Sequence, residues 1–219
     1  MTVTAYVYGK LPQSLLEGRI NFSTDTIKAM ALSAYTVGST KDTAQFISDV
    51  LAVATEAVGS GTSGYTSGGY TLTSKTITYT AANSWSIQRA NSTAYTVGDV
   101  VRPATGNGYL YRCVVAGTSA GSAPTYTTTV GDDFADGTVT WVCEGTGVLV
   151  VDSADPSWTT GTPGSLTASY IVFYKDTGTQ STSPVMVLWD LGGAQTASNG
   201  GAFTSQLDGT EGLLVMFTS

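Results

Sequence analysis

The chain has 219 residues, 42% of them apolar and only 11% charged, with 16 acidic against nine basic side chains and a net charge of −7. That length supports one large or two modest cores, and an acidic balance with so few Lys and Arg excludes the basic footprint that nucleic-acid binding needs. Histidine is absent, which removes the usual general base and the commonest metal ligand and lowers the expectation of an enzyme or a cofactor.

No stretch approaches the about 20 consecutive apolar residues of a membrane helix. The opening MTVTAYVYGKLPQSLL lacks the basic start and apolar run of a signal peptide, so the expectation is synthesis in a cytosol. Thr, Ser and Gly stand where charge is missing. Thr favours strands and Gly and Ser supply turns, so the composition predicts a mainly β protein with a neutral, hydroxyl-rich surface.

Along the chain, Val3, Ala5 and Val7 alternate with Thr4, Tyr6 and Tyr8 and predict a strand. Ile20–Phe22 and Ile27–Leu32 predict two more, joined across a turn at Ser23-Thr24-Asp25. In AQFISDVLAVATEA, Phe46, Ile47, Val50, Leu51 and Ala54 fall at helical spacing, with Thr40 or Asp42 as the cap, and predict the one short helix. GSGTSGYTSGG, residues 59–69, reads as a glycine-rich flexible or contact loop. Its spacing is loosely that of a phosphate-binding loop, but it lacks the Gly-Lys-Ser/Thr ending and the following helix. Alternation over Tyr70–Thr80 predicts a strand. After Gly147, VLVVDSADPSW predicts a strand and a turn at Asp155-Pro156. Strands over Thr167–Tyr174, Pro184–Leu191, Ala202–Leu207 and Gly212–Phe217 follow, their connections rich in turn residues, with an antiparallel meander as the simplest pairing. The fold class expected is mainly β: an antiparallel β-sandwich or barrel-like carrier with one short helix, plus a small inserted β module. Excising residues 83–146 would join ITYT to VLVV through a short link, as insertion at a loop tip predicts. The carrier is therefore read as 1–82 with 147–219.

Within the insert, Cys113 and Cys143 lie in apolar strand contexts, as two reduced buried thiols or as a disulfide formed once an assembly meets oxidising conditions. Asp132, Asp133 and Asp136 offer oxygens for a hard cation, although the alternative is a solvated turn. Tyr111 and Trp141 are expected in the module's core. Tyr95, Tyr109 and Tyr126 are candidate glycan or surface contacts, since sugar rings stack on flat aromatic faces.

The insert's Tyr95-x-x-Gly98-Asp99-x-Val101 followed by Tyr109-x-Tyr111-x-Cys113 resembles small β modules of chitinases and phage virion proteins. The carrier resembles a family of tailed-phage virion proteins, in GRINFSTDTIKAMAL, DTAQFISDV, GSGTSGYTSGGYTL, VDSADPSW, SYIVFYKDTGTQSTSPVMVLWDLGG and NGGAFTSQLDGTEGLLVM. This resemblance implies a structural virion protein that binds the major capsid protein and stabilises the shell as a cement or decoration protein. It implies a homo-oligomer, with a trimer at three-fold positions favoured. The chain would be made in the host cytoplasm and located on the capsid surface, with the insert projecting outward and touching host-surface glycan. A tail or head–tail component and a glycan-binding attachment protein are the alternatives. Strand addition by Thr2–Tyr8 to a neighbour's sheet is a further expectation.

Overall fold

A computed structural model describes residues 3–207 and 212–218. The chain is mainly β, with three short α-helices among the described residues, none of them long and apolar enough to cross a membrane. It divides into two compact units, residues 1–77 with 151–214 and residues 78–150 with 215–219.

In chain order, unit 1 begins with β1 (Thr4–Val7), α1 (Leu11–Leu16), β2 (Ile27–Tyr35), α2 (Thr40–Thr43), α3 (Ile47–Leu51), β3 (Ala54–Glu56), β4 (Ser60–Gly61) and β5 (Tyr70–Thr71). Strand β6 (Thr76–Ala81) leads into unit 2, which holds β7 (Ala94–Tyr95), β8 (Val100–Val101), β9 (Leu110–Val115), β10 (Gly117–Thr118), β11 (Asp133–Asp136) and β12 (Val139–Gly145). Strand β13 (Gly147–Asp152) leads back to β14 (Ser157–Thr159), β15 (Gly164–Lys175), β16 (Val185–Ser198) and β17 (Ala202–Thr204), and β18 (Leu214–Thr218) closes the order.

The main sheet of unit 1 runs β1-β16-β15-β2-β3, with β4 added to β15 and β5 to β2. Among the described residues its strand pairings are antiparallel. Its central strands bury consecutive residues, Ile171–Tyr174 in β15 and Val185–Trp189 in β16. A strand that buries neighbours on both sides of its pleat is covered on both faces. Cross-strand register places Met30, Val172 and Leu188 in one row, on the face that gathers Tyr8, Tyr35, Ile47 and Val50. Ala31, Ile171 and Trp189 form the row on the opposite face, where the rings of Phe173 and Trp189 lie 5.2 Å apart. Trp158, on β14, packs against Tyr65, Tyr70 and Phe203 at 5.8–5.9 Å.

Several elements differ from the sequence expectations. The helix expected over residues 44–57 shrinks to α3, because Ala54–Glu56 leaves it to pair with the edge of β2, Tyr35 opposite Ala54 and Leu32 opposite Glu56; sheet pairing overrides local propensity. Its start is capped by neither Thr40 nor Asp42: the Asp49 carboxylate accepts from the Gln45 and Phe46 amides, both at 2.9 Å. Ile20–Phe22 is no strand. Ile20 and Phe22 are buried anchors beside a turn in which Asp25 accepts from the Asn21 amide at 2.6 Å. The stretch Tyr70–Thr80 breaks into β5 and β6 around Ser74, which has a positive φ of 51°. The meander holds only for the β15–β16 hairpin, since β17 pairs with β14, and β18 joins β13 and β6 in a three-stranded sheet. Of the DGTEG connection, all but Gly212 lies outside the described residues.

The glycine-rich stretch 59–69 is not a loose connection. Gly64 has φ +69°, and a Cβ there would lie 2.1 Å from the Thr159 carbonyl oxygen; Gly69 has φ +86°, and its Cβ would lie 2.0 Å from that of Ala29. Backbone is packed against backbone at both points, which only glycine permits. Gly69→Ala is therefore expected to destabilise unit 1 by on the order of 2–3 kcal/mol, measured by urea unfolding. Gly178→Ala, where an added Cβ meets nothing within 4 Å, serves as the comparison and loses less.

Candidate functional site

Unit 2 is built around the four-stranded antiparallel sheet β11-β12-β9-β8. Along β12, Val139, Trp141, Cys143 and Gly145 are buried while Thr140, Val142 and Glu144 are half-buried, the period-two pattern of a sheet with one core face. The core holds Tyr95, Val101, Tyr111, Cys113, Val139, Trp141 and Cys143. Residues 78–82, 147–150 and 215–219 join unit 2 rather than the carrier, because β6, β13 and β18 are sheet neighbours and Val150, Val215 and Phe217 pack on Trp85, Leu110 and Val148.

At the centre lies a buried ion pair. Arg89 donates to both Asp136 oxygens, Nε to Oδ2 at 2.9 Å and an Nη to Oδ1 at 2.7 Å, and the two side chains are 2% and 0% exposed. The same guanidinium donates to the carbonyls of Ala120 and Ser122 at 2.7 and 2.9 Å, and also to Asn91. Asp136 further accepts from Trp141 Nε1 and the Ala120 amide, both at 3.0 Å. Burial alone would raise the Asp136 pKa, but Arg89 and these two donors together hold it below the usual carboxylate range. Arg89 is raised above its ordinary value by the same pair. Asp136 is thus fully engaged and is no hard-cation ligand. Among the described residues no group of three or more His, Cys, Asp or Glu side chains is placed to hold a metal, so the Asp132, Asp133 and Asp136 cluster does not form that site.

The Tyr95-x-x-Gly98-Asp99-x-Val101 segment does structural work. The Asp99 carboxylate accepts from the Thr96 amide at 2.7 Å, Gly98 adopts φ +104°, and backbone bonds to Cys113 flank the turn: Gly98 N–H donates to the Cys113 carbonyl and Cys113 N–H to that of Asp99. Tyr95 turns inward. Its ring lies edge-on to Trp141 at 4.9 Å and its hydroxyl accepts from the Ala90 amide at 2.7 Å, so it is withdrawn from the set of surface contacts. Tyr111 and Trp141 are buried. Tyr111 accepts from Asn107 and donates to the Thr127 carbonyl, both at 2.7 Å, and burial pushes its hydroxyl up to about 12. Tyr109 and Tyr126 are half-buried, and Tyr126 joins Tyr111 and Phe134 in an aromatic triad with centroids 5.1–5.6 Å apart.

Cys113 and Cys143 are both free and buried, and burial raises both thiols. The register explains why they are not bonded. Cys113 lies opposite Trp141, and Cys143 opposite Tyr111, so the cysteines are diagonal neighbours. Diagonal positions stand about 7–8 Å apart, too far for disulfide geometry without backbone movement.

Unit 1 contains a recess of 250 Å³, with Met30 and Ile47 among its lining residues and Lys28, Glu56, Ser67, Tyr174, Asp176 and Gln180 supplying polar groups. No sequence pattern marks it, because its residues come from β2, α3, β3, the glycine-rich stretch, β15 and the β15–β16 turn. The Glu56 carboxylate accepts from Tyr65 Oη at 2.8 Å, Ser67 Oγ at 2.9 Å and the Gly68 amide at 2.6 Å. Lys28 pairs with Asp176 at 2.7 Å and holds that carboxyl below its ordinary range. The Glu56 carboxylate is thus satisfied within the glycine-rich stretch, and Lys28 and Asp176 by each other.

The depressed Asp136 pKa gives a pH dependence. A carboxylate whose folded pKa lies below its unfolded value near ~3.9 contributes stability that is present above that value and is lost as pH falls through the folded one. Unit 2 is expected to lose its Trp141 environment on acidification below about pH 4, followed by tryptophan fluorescence. Asp136→Ala, which strands a buried guanidinium, is expected to cost about 3–5 kcal/mol at neutral pH.

Comparison of the chain with protein-family models, with curated proteins and with solved structures finds no match.

Proposed function

We propose that this chain is a structural virion protein that binds and stabilises a phage capsid shell, in the manner of a cement or decoration protein. The observation that supports this reading is that these ionisable groups already have protein partners: Arg89 pairs with Asp136, Lys28 with Asp176, and Glu56 accepts from three protein donors. General acid–base chemistry needs a positioned group with a proton to move, and these groups are fixed as joints. The exposed strands add a neutral, hydroxyl-bearing surface, with cross-strand pairs Thr167–Thr196 at 2.7 Å and Ser157–Thr204 at 2.8 Å. The resemblance of the carrier segments supplies the virion setting. Protein counting on purified particles tests it. A copy number equal to that of the major capsid protein, or a simple fraction of it, is expected. A handful of copies would move the chain to the tail, and absence from particles would overturn the reading.

A second reading, attachment to glycan, draws on the half-buried rings of Tyr109 and Tyr126. Retention of the full chain on polysaccharide is expected to fall roughly fivefold in Tyr126→Ala if a ring stacks on sugar, an aromatic contact being worth about 1 kcal/mol. Equal retention of the variant and the parent chain would remove this reading.

A further inference from the structure

The outer edge of β1 carries a self-complementary pattern. β1 ends the main sheet of unit 1, and among the described residues no strand lies beyond it. The Tyr8 amide donates inward to the Met186 carbonyl at 3.0 Å. Backbone polar groups alternate sides along an antiparallel strand, so Tyr6 also faces β16 while Val3, Ala5 and Val7 direct their N–H and C=O groups outward. Natural sheets blunt such edges with Lys, Pro or a bulge. The open edge ends at Val7, since the Gly9 amide donates to the Lys41 carbonyl at 2.9 Å; residues 3–7 read VTAYV, without a charge or a proline, and Val3 and Val7 are 50% and 49% exposed.

We propose that β1 is a homotypic docking edge, pairing antiparallel with β1 of a second copy about a two-fold axis at Ala5. In that register Ala5 faces Ala5 of the second copy, Val3 faces its Val7, and Val7 its Val3. All three outward-facing residues are then members of hydrogen-bonded pairs, and each exposed valine covers the partner's valine on the face that carries Trp189 and Val187. The partner's Tyr6 falls beside Thr4 on the other face. The pattern commits the occupant to a second copy, because the sequence reads the same apolar-small-apolar order in both directions from Ala5. The contact lies below the about 1,200 Å² of a standard specific interface, so it forms at high local concentration, as among copies arrayed on a surface. It rests on the edge alone and stands whether or not the virion reading does.

Sedimentation of the full chain from dilute to near-millimolar concentration tests it. The parent chain is expected to shift reversibly from monomer to dimer. Ala5→Lys and Ala5→Glu each set like charges directly opposite at the axis and are expected to stay monomeric, with circular dichroism unchanged. Mixing the two variants is expected to restore the dimer. Amide exchange at Val3, Ala5 and Val7 is expected to slow at least several-fold with concentration, while that of Tyr6 and Tyr8 does not. A parent chain that stays monomeric throughout, a dimer that persists in the Lys variant alone, or a mixture that fails to associate would overturn the proposal.

Discussion

Two-sided burial of the β15–β16 hairpin is the constraint on which unit 1 depends. Ile171-Val172-Phe173-Tyr174 and Val185-Met186-Val187-Leu188-Trp189 are continuous apolar runs, and a strand points successive side chains to opposite faces. Neither face can meet water, so the rest of the unit is arranged to cover them. On one side the cover is Tyr8, Tyr35, Ile47 and Val50, which explains why so short a helix as α3 survives: tertiary packing rather than propensity holds it. The glycine-rich stretch belongs to the same solution. It lies so close to the Ala29 and Thr159 carbonyls that side chains are excluded, and its own polar groups are gathered by Glu56 and by the Tyr174 hydroxyl, which donates to the Gly68 carbonyl at 2.7 Å.

Unit 2 solves a different problem. A unit of its size has a small core relative to its surface, and much of its chain lies in irregular segments whose backbone groups need partners. Arg89 and Asp136 meet that need from the centre outward, collecting the Ala120 and Ser122 carbonyls, the Ala120 amide and the Trp141 indole. Ser119 continues the network, accepting from the Thr93 amide at 3.0 Å and donating to the Ala90 carbonyl at 2.7 Å. A buried ion pair is weak evidence for net stability against an apolar replacement, but here every lone pair has a use in fixing a loop.

The regions legible in the sequence were those where periodicity and burial coincide. Apolar runs mark β2, β15 and β16, and the Thr-, Ser- and Gly-rich composition points to the mainly β class. Tyr111 and Trp141 were readable as core because a small module has little else to bury. Short elements were not readable: α1 spans only Leu11–Leu16, with Pro12 near its start as the available signal. The Arg89–Asp136 pair was missed because its partners lie 47 residues apart and no local pattern joins them. Spacing instead groups Asp136 with its sequence neighbours Asp132 and Asp133, from which burial separates it. The inward turn of Tyr95 is illegible for a related reason, since a tyrosine reads the same whether its ring faces water or a tryptophan.

Charge sets where such a chain tolerates a neighbour. Among the described residues, six of the nine basic side chains, those of Arg19, Lys28, Lys41, Arg89, Arg112 and Lys175, lie in ion pairs. The net −7 is therefore carried by acidic groups without matching cations to offer a second copy. Copies repel at long range, over about 10 Å at 0.1 M salt, and any close contact between them has to fall where charge is sparse. The edge at Val3, Ala5 and Val7 is uncharged and presents backbone groups that another strand, or water, can satisfy. Low charge and hydroxyl-rich strands thus have a further consequence. They leave backbone pairing, rather than electrostatic complementarity, as the means by which this surface can recognise another protein.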